Sequence, residues 1–352
     1  VAAVGVGLVP ALAASGSPSL PHLTAQQLIA KVLAGHQQAV SGTVQTTADI
    51  GVPSQILGAL PTSGATGAKS GAPGGVNPQA LAASLLSGTH TFDVAADGPQ
   101  KERITAPDLS GGPYEFVRNG SSAWAWQGST KTATHITGLR TADKAGKAPG
   151  AATPQTPQSA AQEILKQAGP TTNVSVEGAT RVAGHNAYVL LVSPKGSGST
   201  IGDVRIAVDS TYFVPLQVQV QPSDGSSDIL NVRFMTVSFS APAASTFDFT
   251  APSGAKIVEQ SAQQAKGEAA PHKNQGRPQG KVIGQGWTSV YEITPSGAGK
   301  SGGLGELKSF GKSVPGGTLL STRVLNVLVT DKGTIYAGAV TPQVLENAAK
   351  AA

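Results

Sequence analysis

Cysteine is absent from this 352-residue chain, aromatic residues make up 5% of it and charged residues 13%. The first absence excludes a disulfide framework and any thiolate metal site. The other two leave little material for a large aromatic core, and with 44 Gly and 24 Pro part of the length must serve as linker. No two Lys or Arg residues are adjacent anywhere. Following a phosphate backbone takes clustered cations, so the formal net charge of +5 does not point to nucleic acid.

What is present is unevenly distributed. Residues 1–260 hold 15 Lys/Arg against 15 Asp/Glu and residues 261–352 hold 10 against 5, so the basic excess lies wholly in the C-terminal quarter. Val1 to Ala14 is uncharged and apolar but too short to span a membrane, which takes about 20 residues. Its Ala11-Leu12-Ala13 has the small-x-small form of a signal-peptidase site, without the basic segment that normally precedes it. The expectation is a truncated export signal over 1–14 and an extracytoplasmic, secreted or envelope-associated protein. The lack of cysteine is compatible with that location.

Thr24 is placed to cap a helix in which Leu28, Ile29, Val32, Leu33 and Val40 form one apolar stripe. From Thr43 the period falls to two. Eleven or twelve strands follow as far as Phe249, divided by turn pairs such as Asp97-Gly98, Asn119-Gly120 and Asp224-Gly225. Short turns between consecutive strands predict an antiparallel meander. One face is apolar: Tyr212, Val214, Leu216, Val218 and Val220 alternate with Gln217, Gln219 and Gln221.

Two segments interrupt the strands, Gly51 to Gly88 and Thr141 to Pro157. The second leads into a helix capped at Thr156 that carries Ile164 and Leu165. Helices inserted between strands predict a curved sheet with helices closing over it, where a flat sandwich would need none. Ser261 to Gly280 is polar and holds two prolines, which makes it a linker. Beyond it, Lys281 to Ile293 reads as one strand with Trp287 and Tyr291 on one face. Leu319 to Val329 fits either a buried strand or an amphipathic helix. A strand over Thr334 to Val340 and a helix opened by Thr341-Pro342 complete a small basic domain.

Catalytic and cofactor motifs are missing. The six histidines show no metal-ligand spacing. Gly299-Lys300-Ser301 has Thr294 where a phosphate-binding loop needs its first glycine, and Gly311-Lys312-Ser313 has Glu306. No Gly-x-Ser-x-Gly elbow sits on a strand-to-helix turn. We therefore expect no enzyme, no cofactor and no metal. Trp124 and Trp126 are the most informative aromatics: two apart on one strand they share a face, and Tyr114 and Phe116 repeat that spacing on the strand before. They form either a plain aromatic core or the lining of an apolar cavity suited to an acyl chain.

Three blocks carry a family resemblance: Arg181 to Lys195, Val204 to Asp209 with Val214-Pro215-Leu216, and Phe247 to Lys256. Over residues 23–259 the chain resembles the lipoprotein-carrier-like (LolA-like) superfamily, which includes the MucB/RseB-type sigma-factor regulators. The Gly51 to Gly88 insertion departs from that pattern. The resemblance implies an incomplete antiparallel β-barrel of about 11 strands with a helical lid; with the linker at 261–280 and the small α+β domain at 281–350 read from the residues, the expected fold class is α+β, and the C-terminal quarter is shorter than the resemblance would lead one to expect. The resemblance also implies a cavity for lipid acyl chains, with lining expected from Phe92, Tyr114, Phe116, Trp124, Trp126, Leu190, Val204, Ile206, Leu216 and Phe234. Two functions follow: a carrier or sensor of lipids or lipoprotein acyl chains, or a regulator that contacts an anti-sigma factor or other membrane protein.

Overall fold

The first helix starts as its sequence dictates. Thr24 Oγ1 accepts the N–H of Gln27 at 3.2 Å while Gln27 Oε1 accepts the N–H of Thr24 at 3.0 Å, a reciprocal cap. Helix α1 then covers Ala25–Ala34 and buries Leu28 and Val32. Val40, expected at the end of this helix, lies instead in strand β1 (Ala39–Asp49), which has a hydrogen-bonded neighbour on each side. The computed structural model describes residues 18–34, 39–51, 87–107, 109, 112–140, 156–167, 169–262, 279–294 and 309–351. The expectations for 1–14, for most of both interrupting segments and for most of the linker lie outside the described residues.

A twelve-stranded open sheet dominates. Its strands are β1, β2 (Ser87–Asp97), β3 (Lys101–Ala106), β4 (Tyr114–Asn119), β5 (Ser122–Gln127), β6 (Thr132–Thr137), β7 (Thr172–Val182), β8 (His185–Pro194), β9 (Ile201–Asp209), β10 (Pro215–Pro222), β11 (Leu230–Ser238) and β12 (Lys256–Ser261). The order is β12-β6-β5-β4-β3-β2-β1-β11-β10-β9-β8-β7. Two hairpin meanders, β1 to β6 and β7 to β11, are thus joined where β1 meets β11. With β12 and β7 as free edges, the sheet is an incomplete barrel. One pair breaks the expected antiparallel rule: β12 runs parallel to β6. The chain reaches that position through a 3-10 turn at Ala244–Phe247, where the run of strands expected as far as Phe249 predicted a strand. Helix α2 (Pro157–Gln167) begins where Thr156 Oγ1 accepts the N–H of Ser159, and it packs against β10 and β11.

The second sheet has six strands, β13 (Gln279–Ile283), β14 (Val290–Thr294), β15 (Lys312–Val314), β16 (Gly317–Ser321), β17 (Asn326–Thr330) and β18 (Ile335–Gly338), in the order β13-β14-β18-β17-β16-β15. Helix α3 (Pro342–Ala351) covers one face through Leu345 and Ala348. The single strand expected over Lys281 to Ile293 is a hairpin whose bend, Gly286–Thr288, takes Trp287 out of the sheet. Leu319 to Val329 resolves as two strands. Thr322 Oγ1 accepts the N–H groups of Val324 and Leu325 and folds the chain back between them.

The two sheets are in contact. Trp287 Nε1 donates to Thr172 Oγ1 at 2.9 Å, and Trp287 and Val324 pack into the apolar cluster of the large sheet. Arg323 Nη1 reaches the Asp49 carboxylate at 2.6 Å while Nη2 donates to the Ser227 carbonyl. Ser199 and Val340 form an isolated antiparallel bridge. Among the described residues no helix is long and apolar enough to cross a membrane.

Candidate binding face of the large sheet

Strand register assigns the two faces. Val44, Phe92, Ala106 and Tyr114 stand in one cross-strand row, and Val94, Ile104, Phe116 and Ala125 in the next. On the other side of the β1–β11 seam the same face continues through Val232, Val218, Ile206 and Leu190. This inner face is apolar and buried across both meanders. Leu28 and Val32 of α1 and Ala160, Ala161 and Leu165 of α2 pack onto its β8–β10 half. The opposite face carries Gln45, Thr91, Arg205, Gln217, Gln219 and Arg233, joined by bonds such as Gln217 to Asn231 at 3.0 Å.

Eight of the ten residues expected to line a cavity belong to the inner-face clusters. Phe92, Tyr114, Phe116, Leu216 and Phe234 form part of one, with Leu216 beside the bulge in β10, and Leu190, Val204 and Ile206 lie beneath α1 and α2 in the other. Trp124 and Trp126 belong elsewhere. Asn119 pairs with Ser122, leaving a two-residue turn, so even-numbered positions of β4 face odd-numbered positions of β5. Phe116 is therefore paired with Ala125, while Trp124 is opposite Val117 and Trp126 opposite Glu115. The expectation that the indoles share the Tyr114 and Phe116 face is corrected by that parity.

The outer face around Trp124 is a structure of its own. Ala95, Arg103, Val117, Trp124, His135 and Glu259 make one row across six strands. Phe247 packs on Ala95 and Val117, Phe249 stacks on Trp124 at 5.1 Å, and Arg103 donates to the Thr246 carbonyl at 2.9 Å. These contacts hold down the chain that delivers β12. Arg103 also pairs with Glu115 at 2.6 Å, which offsets part of the rise that burial imposes on the Glu115 carboxyl. Ser122 Oγ lies 2.8 Å from His135 Nε2, and His135 Nδ1 lies 2.8 Å from Glu259 Oε2. Residues so far apart in sequence gave no motif. The chain has the connectivity of a nucleophile relay, but β5 is paired along its length on both sides, so its amides serve the ladder. Glu259 is 65% exposed, so the relay ends on a carboxylate open to water.

Polar groups on the inner face are few. Arg118 is 2% exposed and donates to the carbonyls of Gly120 and Arg140. Glu102 stands opposite it; burial pushes its carboxyl up to about 7 against the lowering effect of the Arg118 guanidinium. Tyr114 is 2% exposed, and burial together with the Glu102 charge pushes its phenol above the usual range. Glu102 Oε2, Tyr114 Oη and Thr46 Oγ1 are all shut from solvent and have no hydrogen-bond partner. Sequence alternation singled out Tyr114 as an aromatic but not Glu102 or Thr46, because each sits in phase with apolar neighbours. Among the described residues no three His, Cys, Asp or Glu side chains gather as a metal site. A groove of about 400 Å³ opens on the small sheet, lined by Glu292, Leu328, Lys332, Tyr336, Glu346 and Lys350 among others, and is mixed rather than apolar.

No protein-family model matches the sequence, and no curated protein does. Solved structures do. The chain is similar to MucB in the Pseudomonas aeruginosa MucA/MucB complex, with 14% identity, 92% of this chain and 96% of that one covered, and a TM-score of 0.43. It is also similar to an uncharacterized conserved protein from Thermus thermophilus, at 11% identity over 67% of this chain and 99% of that one with a TM-score of 0.35. A LolA-superfamily protein from Nitrosomonas europaea matches at 10% identity, 65% and 99% coverage and a TM-score of 0.25.

Proposed function

We propose that this chain is an extracytoplasmic binding protein that holds lipid acyl chains, free or attached to a lipoprotein, against the inner face of its open sheet. The observation that carries the reading is that this face is apolar in both meanders, as two neighbouring clusters, of which only the β8–β10 one is covered by Leu28, Val32, Ala160, Ala161 and Leu165 of the helices. Each methylene transferred from water to such a surface contributes about 0.8 kcal/mol, so a long acyl chain can compensate for lifting a helix off it. Binding rather than catalysis is the reading we favour, since the Ser122–His135–Glu259 relay lies on the outer face, away from the apolar surface, and ends on an exposed carboxylate. Native mass spectrometry of protein purified from its own envelope tests it. A retained adduct of lipid mass is expected; bare protein that also fails to take up a fluorescent acyl probe overturns it.

A second reading, regulation through an anti-sigma factor or another membrane protein, draws on the small sheet. Val282 and Tyr291 are cross-strand partners, 53% and 56% exposed, and form an apolar pair open to a partner. Polar substitution of both should abolish partner capture and leave acyl binding intact.

A further inference from the structure

We infer that the inner face receives the ester end of a neutral acyl ligand, with Tyr114 Oη and Glu102 Oε2 hydrogen-bonded to its carbonyl oxygens. The inference rests on the acyl-binding reading above and adds the chemical class of the ligand.

Glu102 and Tyr114 lie on adjacent strands, and the Ile104–Phe116 pair separates the Glu102–Arg118 pair from the Ala106–Tyr114 pair. All six point to the inner face, and the Glu102 charge is felt at the Tyr114 phenol. An apolar surface that encloses two polar atoms without partners carries a penalty of roughly 1–3 kcal/mol for each. Replacing the phenol by phenylalanine would remove its penalty, so the hydroxyl asks for a polar occupant; Glu102 also faces the buried Arg118 guanidinium, yet its Oε2 still has no hydrogen-bond partner. The occupant's chemistry follows from what the two groups offer. Tyr114 is held in its protonated form and donates. Glu102, with its carboxyl pushed up to about 7, is protonated for a large part of the time at neutral pH and then also donates. The Arg118 beside them is already bonded to two backbone carbonyls. Two neutral donors suit an uncharged carbonyl oxygen. A free fatty carboxylate would have to give up the hydration of a full charge to reach this buried pair, which disfavours it.

The test uses the full chain and three probes of equal chain length: a dipalmitoyl glyceride, its dialkyl ether analogue, and palmitate. The wild type should bind the ester at least tenfold more tightly than the ether, which keeps the chains and lacks the carbonyls, and should bind palmitate more weakly than the ester. Tyr114→Phe should lose most of the ester-over-ether preference while its affinity for the ether is unchanged. This variant removes an unpartnered hydroxyl, so its thermal midpoint should be equal to or above that of the wild type. Glu102→Gln keeps a donor and should retain ester binding. Equal affinity of the wild type for ester and ether overturns the ester site while leaving acyl binding standing. Failure of all three probes to bind overturns both.

Discussion

Trp124 and His135 stack face to face across β5 and β6, with ring centroids 4.1 Å apart and planes within 8° of parallel. Phe249 covers the other side of the indole at 5.1 Å, so Trp124 is committed to holding the chain that becomes β12. The third tryptophan, Trp287, packs instead against the inner-face cluster beneath the helices. A contact-range quencher carried on an acyl chain should therefore discriminate among them. In single-tryptophan variants, a brominated acyl probe is expected to quench Trp287 and to leave Trp124 and Trp126 bright. Strong quenching of Trp124 would place the ligand on the outer face.

Stability should carry the signature of Glu102. Its carboxyl ionises near 4.5 in an unfolded chain and near 7 in the folded one, so between those values the folded state binds the proton more tightly. Stability from this group is complete below about pH 4.5 and is lost as pH rises through about 7. The groups facing it are Arg118 and Tyr114 from β4; the neighbouring positions of β2 are Val94 and Ala96. The loss amounts to no more than about 3 kcal/mol. Denaturant titrations at pH 5 and pH 8 should show wild-type stability falling over that interval and the Glu102→Gln variant falling less. Identical pH profiles would show that the carboxyl is solvated.

Much of the barrel was legible because its signals are local. Alternation and turn pairs give the strands, and the Thr24 and Thr156 caps give the helix starts. What escaped depends on long-range pairing. That β1 lies against β11 and β12 against β6 is set by contacts nearly two hundred and more than one hundred residues apart, which no window contains. The tryptophan assignment failed for a different reason. The phase within each strand was right, but the face shared by two strands depends on the parity of the turn, and Asn119 pairing with Ser122 fixes it. Tyr114 was legible as an inward aromatic, whereas Glu102 was hidden because a polar residue at an inward position reads as noise in an alternating pattern.

The contact between the two sheets should be cooperative. Arg323 bridges the Asp49 carboxylate and the Ser227 carbonyl, and Trp287 inserts beside Thr172. An exposed ion pair alone contributes about 0.2–1 kcal/mol, but removing a large half-buried aromatic typically costs more. Differential scanning calorimetry should show one main transition for the wild type. Arg323→Ala combined with Trp287→Ala should split it in two, the smaller sheet melting first. A single unchanged transition in the double variant would mean that the sheets are held together by other contacts.

The same contacts bear on the segment proposed as a linker. Ser261 to Gly280 has two prolines and no apolar residue larger than alanine, which offers a protease an easy cut between 23–259 and 281–350. Ser261 still belongs to β12, and Gln279 already belongs to β13, so cleavage is expected between them. Because the sheets are joined by Trp287, Arg323 and the Ser199–Val340 bridge rather than by the linker, the two fragments should stay together after the cut. Limited trypsin digestion at Lys266, Lys273 or Arg277 should give two bands on a denaturing gel and one peak on size exclusion. The wild-type fragments should remain associated at high salt, since an indole packed in an apolar cluster is not screened. Fragments of the Trp287→Ala and Arg323→Ala double variant should elute apart. Digestion that spares this segment and cuts inside either sheet would refute the division into two domains.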